Sequence, residues 1–181
     1  IDAGYVLCGD VDKTGTGMER HRMPVVSAER TGDLQLGLRF FVACVLRFNR
    51  TAGGEVDDAE AIVLWLRAQQ PQLPLSVLGF SYGGFVAAAL AGRLEAQGQV
   101  VERLFMVAPA VQRLQAPERL PEHAVLTVIQ PEQDEVIDPA VVFAWSQALP
   151  RPHELLKVAE CGHFFHGKLT DLKDVVLPRL A

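Results

Sequence analysis

Three residue types that together perform nucleophilic catalysis follow strand-like segments of this chain in the order serine, aspartate, histidine. Ser81 is the centre of residues 79–83, Gly-Phe-Ser-Tyr-Gly, which come directly after the apolar segment 75–78 and before a run of small residues. This pattern is typical of a tight strand-to-helix turn that exposes the serine hydroxyl at a helix N-terminus, where the helix dipole favours negative charge. Ser81 is therefore the candidate nucleophile.

The candidate partners of Ser81 follow two later strand-like segments. A serine hydroxyl reacts well only when an imidazole takes its proton, and the imidazole needs a carboxylate to fix its tautomer. Asp134 lies five residues beyond the strand predicted to end at Ile129, and His163 comes after the strand predicted over residues 153–158. The chain order Ser81, Asp134, His163 is the order of an α/β-hydrolase triad.

Other side chains compete for both partner positions. The acidic segment after Ile129 also contains Glu132, Glu135 and Asp138, and an acidic loop facing solvent is the alternative interpretation of all of these carboxylates. Asp138 precedes Pro139, which predicts a helix cap. The histidines that compete with His163 are His21, His123, His153 and His166.

Strand-like and helix-like segments alternate along the chain. Strands are predicted over residues 4–8, 43–48, 75–78, 101–108, 124–129 and 153–158. Helices are predicted over residues 55–68, from the turn after Ser81 to about 97, over 138–149 and 168–180, and more weakly over 29–39. This alternation predicts an α/β fold, with a mostly parallel sheet covered by helices on both faces.

Bulk properties narrow the class of protein. The length of 181 residues, with 49% hydrophobic residues, suits a single domain over residues 1–181. A net charge of −5 without a basic cluster argues against nucleic acid or an anionic membrane as partner. No segment has the length of about eighteen apolar residues typical of a membrane span, and no signal peptide opens the chain, so the sequence predicts a cytoplasmic protein. The three cysteines form no C-x-x-C pair, which argues against disulfides and structural zinc.

From about Cys44 to the C-terminus the chain resembles the small, lidless bacterial α/β-hydrolases close to the dienelactone-hydrolase group. The matching segments are residues 45–49, 55–59, 79–84, 107–109, 128–139 and 163–169. The resemblance implies an α/β-hydrolase fold without a lid domain, a triad of Ser81, Asp134 and His163, and an oxyanion donor in the Tyr82 amide. It also implies hydrolysis of a small carboxylic ester without a metal or organic cofactor.

The N-terminal quarter departs from that family. The family has a Cys-His-Pro segment and a glycine-rich loop that supplies the second oxyanion amide, whereas Gly9 and Asp10 stand at this point here. The amide of Gly9, or that of Asp10, is therefore the candidate second donor. The family also has two more strands before the first one here and a longer loop after residues 47–49, so we expect the chain to be incomplete at the N-terminus and in loops.

Two other functions are compatible with the residues. Asp10 and Asp12 form a D-x-D-x-T pattern after a strand, as in haloacid-dehalogenase-like phosphatases, where the first aspartate attacks phosphorus. Those enzymes place a lysine before a magnesium-binding acidic pair, and here the order is reversed, because Lys157 follows Asp134 and Asp138. A non-catalytic binding module built on an α/β-hydrolase fold is the other alternative, since a fold does not dictate a function.

Overall fold

The computed structural model describes residues 4–8, 25–27, 40–44, 52–111 and 120–180. Within them, seven strands form one sheet: β1 Gly4–Cys8, β2 Val25–Ser27, β3 Phe40–Cys44, β4 Leu75–Phe80, β5 Arg103–Val107, β6 Val125–Pro131 and β7 Glu154–Val158. The helices are α1 Ala52–Gln69, α2 Tyr82–Ala96, α3 Pro139–Gln147 and α4 Leu169–Val176, and the 3-10 turn Leu177–Arg179 follows α4. No helix in this described part is both long and apolar enough to cross a bilayer.

The sheet has the strand order β2-β1-β3-β4-β5-β6-β7. The edge pair β1 and β2 is antiparallel, and every other neighbouring pair is parallel. This confirms the predicted α/β class and the mostly parallel sheet. The sequence did not predict β2, because three residues are too few to show a period.

Alternating residues of the central strands enter two hydrophobic clusters, one on each face of the sheet. Leu104 and Met106 belong to the cluster that contains residues of α1, α2 and α3, whereas Phe105 and Val107 belong to the cluster that contains Val176 of α4. Successive side chains of a strand point to opposite faces, so the two clusters lie on opposite faces of the sheet. The prediction of helices on both faces is therefore confirmed.

Several predicted boundaries differ from the structure. β3 begins at Phe40 rather than residue 43, because the apolar run starts there. α1 begins at Ala52, so the glycine pair at 53–54 lies inside its first turn instead of preceding the helix. α4 ends at Val176, since Pro178 cannot continue an α-helix. The helix predicted over 29–39 and the end of the strand predicted over 43–48 lie outside the described residues.

Candidate active site

Ser81 occupies a strained turn between β4 and α2. Its φ of 54° and ψ of −119° lie in a region that side chains other than glycine rarely adopt. Hydrogen bonds fix this turn, since the Ser81 amide donates to the Val107 carbonyl of β5 at 2.8 Å and the Gly84 amide donates to the Ser81 carbonyl at 3.1 Å. A Cβ atom on Gly79 would overlap the carbonyl oxygen of Gly83. The close approach of the Gly83 carbonyl gives the physical reason for the glycine at position 79.

The other non-glycine residues with positive φ also lie at the carboxyl ends of strands. Within the described residues they are Ala108, directly after β5, and Glu160 and Phe165, both on the segment between β7 and α4. Strained backbone of this kind persists where surrounding contacts hold it, and it is concentrated at functional sites. The strain therefore marks the same edge of the sheet as Ser81.

The three predicted site residues form one chain of hydrogen bonds at this edge. His163 Nδ1 lies 2.9 Å from Asp134 Oδ2, and His163 Nε2 lies 3.1 Å from Ser81 Oγ. Because an ionised carboxylate can only accept, Nδ1 carries the proton and Nε2 accepts from the serine hydroxyl. The side chains of His163 and Asp134 are 2% and 0% exposed, so this chain lies largely out of water. The geometry is that of a nucleophile, a base and an orienting acid.

Asp134 is held by three donors besides the imidazole. Its Oδ1 accepts from the amides of Val136 and Ile137 at 2.9 and 2.7 Å, and its Oδ2 accepts from Gln130 Nε2 at 3.1 Å. Burial acts to raise the pKa of Asp134, but the hydrogen bonds from Ile137, His163 and Val136 outweigh it, so this pKa lies below its ordinary value. Asp134 therefore stays ionised where the imidazole needs it.

This lowered pKa predicts a loss of stability in acid. The unfolded chain takes up the proton on Asp134 at a higher pH than the folded chain does, so the stabilisation is complete above about pH 4 and is lost as the pH falls through the folded pKa. The free energies of unfolding of the wild type and of Asp134→Asn should therefore differ at pH 7 and converge towards pH 2. Urea unfolding at both pH values measures this difference; a gap that stays constant with pH would contradict the prediction.

Aromatic rings surround the imidazole. The ring centroids of Phe80 and Phe164 each lie 5.0 Å from the centroid of His163, and Phe164 meets the imidazole edge-on at 89°. Phe164 is 54% exposed although it is large and apolar. These contacts restrict rotation of the imidazole and leave an apolar surface beside it.

Two of the three competing carboxylates accept hydrogen bonds from backbone amides, and the third is exposed. Asp138 Oδ1 accepts from the Ala140 amide at 2.9 Å, which agrees with the predicted helix cap. Glu135 Oε2 accepts from the backbone amide of His163 at 3.0 Å. Glu132 is exposed. Only Asp134, of these four carboxylates, is bonded to the imidazole of His163.

The competing histidines His123, His153 and His166 make other contacts, and His21 lies outside the described residues. His153 Nδ1 lies 2.9 Å from the Arg151 carbonyl, and its Nε2 lies 2.6 Å from Ser146 Oγ. His123 donates its backbone amide to Glu95 at the start of β6. His166 has a ring contact with Phe164 at 5.9 Å.

Sequence reasoning missed the contacts of Gln130 and Glu135. Gln130 is fully buried near the carboxyl end of β6, and a glutamine at the end of a mostly apolar run is a signal that could have identified it. For Glu135 the sequence offers no comparable signal, because its partner lies on another loop. Tyr82 is the first residue of α2, as its predicted oxyanion role requires.

Some predicted residues lie outside the part of the chain that the structure describes. They are Gly9, the candidate second oxyanion donor, and the aspartates of the phosphatase alternative, Asp10 and Asp12. Among the residues that are described, no three His, Cys, Asp or Glu side chains are grouped so that they could hold a metal ion.

Comparison with known proteins identifies the family. Residues 57–157 match the model of the thioesterase domain. An α/β serine hydrolase without a lid from Xanthomonas campestris is 34% identical, with 71% of this chain and 56% of that chain covered and a TM-score of 0.62. An α/β serine hydrolase homologue from Coxiella burnetii is 29% identical, with 75% and 62% covered and a TM-score of 0.65. No curated protein sequence matches the chain.

These relatives agree with the fold described above. Est1E from Butyrivibrio proteoclasticus is 14% identical over 72% of this chain and 70% of that chain, with a TM-score of 0.59, which shows the fold alone. The chain spans about six tenths of the length of the two serine hydrolase relatives. The likeness to dienelactone hydrolases stays a prediction. The chain belongs to the thioesterase domain family and has the α/β-hydrolase fold.

Proposed function

We propose that this protein hydrolyses small carboxylic esters through an acyl-enzyme on Ser81. The observation that carries the proposal is the hydrogen-bond chain from Asp134 through His163 to Ser81. The strained φ of Ser81 supports it, because a turn of this kind presents the hydroxyl above the sheet edge. The serine hydrolase relatives support the same class of reaction.

The proposed reaction has two halves. Ser81 Oγ attacks the ester carbonyl while His163 Nε2 takes the hydroxyl proton, and the collapse of the tetrahedral intermediate sends that proton to the leaving alcohol. Water then attacks the acyl-enzyme with His163 again as base, which releases the acid and restores Ser81. Asp134 holds the Nδ1–H tautomer and stabilises the imidazolium that forms in each half.

The oxyanion of each tetrahedral intermediate requires hydrogen-bond donors beside Ser81. The Tyr82 amide is the proposed first donor, since the residue after the nucleophile supplies one in this type of turn. Tyr82 begins α2, so the helix dipole also favours the negative charge there. Gly9 stays the predicted second donor.

The proposed substrates have short acyl chains. Only residues 108–124 connect β5 to β6, which is too short a connection for a lid domain over the serine. An open site cannot bury a long acyl chain. We expect kcat/KM for acetyl and butyryl esters of one alcohol to exceed that for a long-chain ester, measured below micelle-forming concentrations. A higher kcat/KM for the long-chain ester would contradict this substrate class.

A thioester is the second candidate substrate. The observation in its favour is the thioesterase domain match over residues 57–157. Both substrates pass through the same acyl-enzyme, so the triad does not discriminate between them. An ester and a thioester with the same acyl group, whose leaving groups differ only in oxygen or sulfur, separate the two candidates. The substrate class is the one with the higher kcat/KM.

Labelling by a fluorophosphonate probe tests the proposal itself. The probe reacts with a serine only when the serine is activated, so the wild type should be labelled at Ser81, as mass spectrometry of the digested protein can establish. Ser81→Ala should not be labelled, and Ser146→Ala, which removes a buried serine bonded to His153, should be labelled normally. An unlabelled wild type would favour the non-catalytic binding module.

The phosphatase alternative does not agree with the fold of this chain. Haloacid-dehalogenase-like enzymes belong to a different fold, and this chain has the fold and the family match of an α/β serine hydrolase. The two aspartates that suggested it, Asp10 and Asp12, are therefore not proposed as catalytic residues.

A further inference from the structure

We propose that Glu135 is a positioning residue that holds His163 by its backbone, a role that rests on the function proposed above. Glu135 Oε2 accepts from the His163 amide at 3.0 Å, while the adjacent Asp134 Oδ2 accepts from the imidazole Nδ1 at 2.9 Å. Two consecutive carboxylates therefore bind one histidine, the first through its ring and the second through its main chain.

The backbone of His163 needs such a contact because it belongs to an irregular segment. Between β7 and α4, Glu160 and Phe165 both have positive φ, and the Phe165 amide closes a turn onto the Gly162 carbonyl at 3.1 Å. The Gln133 amide donates to the Cys161 carbonyl at 3.0 Å and joins this segment to the loop of the acid. The hydrogen bond between Glu135 and the His163 amide connects the same two segments at the histidine itself.

Gly162 supplies an independent observation. A Cβ atom at this position would come within 2.7 Å of Glu135 Oε2, so the carboxylate fills the space that a side chain would need. The φ of Gly162 lies outside the positive range that requires glycine. The backbone conformation therefore does not explain why this residue is glycine. The space that the Glu135 carboxylate occupies does explain it.

Glu135 can act on the histidine without contributing to the core. Its side chain is exposed, and the hydrogen bond from the His163 amide lowers the pKa of the carboxyl, which keeps it ionised and able to accept. Loss of the contact lets His163 move relative to Ser81 and Asp134, and small misplacements of a catalytic base lower the rate of proton transfer. We therefore expect the loss to appear in kcat rather than in KM.

The first test compares alanine with glutamine at position 135. Glu135→Ala should lower kcat about tenfold to a hundredfold with little change in KM, because an amide loses a charged acceptor. Glu135→Gln should retain most of the activity, since its amide oxygen still accepts from His163. Glu132→Ala, at an exposed glutamate of the same loop, is the matched control and should be unchanged. A glutamine variant as slow as the alanine variant would overturn the proposal, because charge rather than positioning would then matter.

The second test is a double-mutant cycle with Gly162. The new Cβ of Gly162→Ala meets the end of a flexible side chain, so it should displace the Glu135 carboxylate and lower kcat as Glu135→Ala does. The double variant should be no slower than either single variant, because the contact is already lost. If the losses of kcat in the two single variants multiply in the double variant, the proposal is overturned.

A proton NMR measurement separates this proposal from the proposed hydrolase function. The downfield resonance of the His163 Nδ1–H, which donates to Asp134, should broaden in Glu135→Ala and stay sharp in Glu135→Gln. A resonance that is equally sharp in all variants would overturn the positioning role. Absence of Ser81 labelling in the wild type would instead contradict the hydrolase function.

Discussion

Replacement of Asp134 by asparagine should lower kcat by up to about four orders of magnitude, while the protein stays folded and KM changes little. The asparagine Oδ1 can still accept from the amides of Val136 and Ile137. Its NH2 group would then face His163 and force Nδ1 to accept, which moves the imidazole proton to Nε2. That tautomer cannot take the proton of Ser81.

The surroundings of Asp134 allow this exchange without loss of the fold. Gln130 Nε2 donates to the same carboxylate oxygen as the imidazole, whereas Gln130 Oε1 has no hydrogen-bond partner within the described residues. Rotation of the Gln130 amide would bring Oε1 to the new NH2 group, at the cost of the hydrogen bond that Nε2 donates to the Pro131 carbonyl. Steady-state kinetics together with near-ultraviolet circular dichroism measure the two parts of the prediction.

Asp138→Asn is the matched control for this experiment. Asp138 caps α3 through the Ala140 amide, and asparagine caps a helix about as well as aspartate does. We therefore expect kcat to remain near the wild-type value. If Asp138→Asn were the inactive variant and Asp134→Asn were active, the assignment of the acid to position 134 would be wrong.

Gly79→Ala should destabilise the protein by about 3 kcal/mol or more and abolish labelling of Ser81. The new Cβ would overlap the backbone carbonyl of Gly83, which cannot rotate away as a side chain can. Relief of the overlap requires β4 and α2 to separate, and this movement displaces Ser81. Urea unfolding measures the loss of stability directly.

Gly84→Ala provides the control, since it adds the same methyl group in the same turn. Its Cβ would lie 3.4 Å from the Pro109 Cβ, which is an ordinary contact, and alanine favours a helix more than glycine does. We expect stability to stay within about 1 kcal/mol of the wild type. Equal losses for both alanine variants would show that the close approach at Gly79 is not the cause.

The position of Ser81 could be predicted from the sequence because its causes are local. A strand, a tight turn with small neighbours and a helix follow one another within residues 75–96, and each has its own sequence signal. The cap formed by Asp138 was predictable for the same reason, since its contact lies two residues further along the chain. The alternation of strands and helices predicted the parallel sheet in the same way.

Local patterns left open the choice among the four carboxylates after β6; the family resemblance implied Asp134, and the tertiary structure shows its contact with His163. Their spacing places all of them near the end of that strand, and no local rule decides which one meets an imidazole 29 residues away. The parallel pairing of β6 with β7 brings the two loops together, and the turn from Asp134 to Ile137 aims one carboxylate at His163.

The sequence by itself determined the chemistry available to this protein, a nucleophile, a base and an acid in a fixed chain order at the ends of parallel strands. The tertiary structure decided which carboxylate and which histidine meet, and which neighbours hold them. Glu135 shows the difference, because it accepts from the backbone amide of His163, a residue of the proposed triad that lies 28 positions further along the chain. Local sequence patterns record periodicity and turns, whereas distances between separate loops follow from how the sheet is paired.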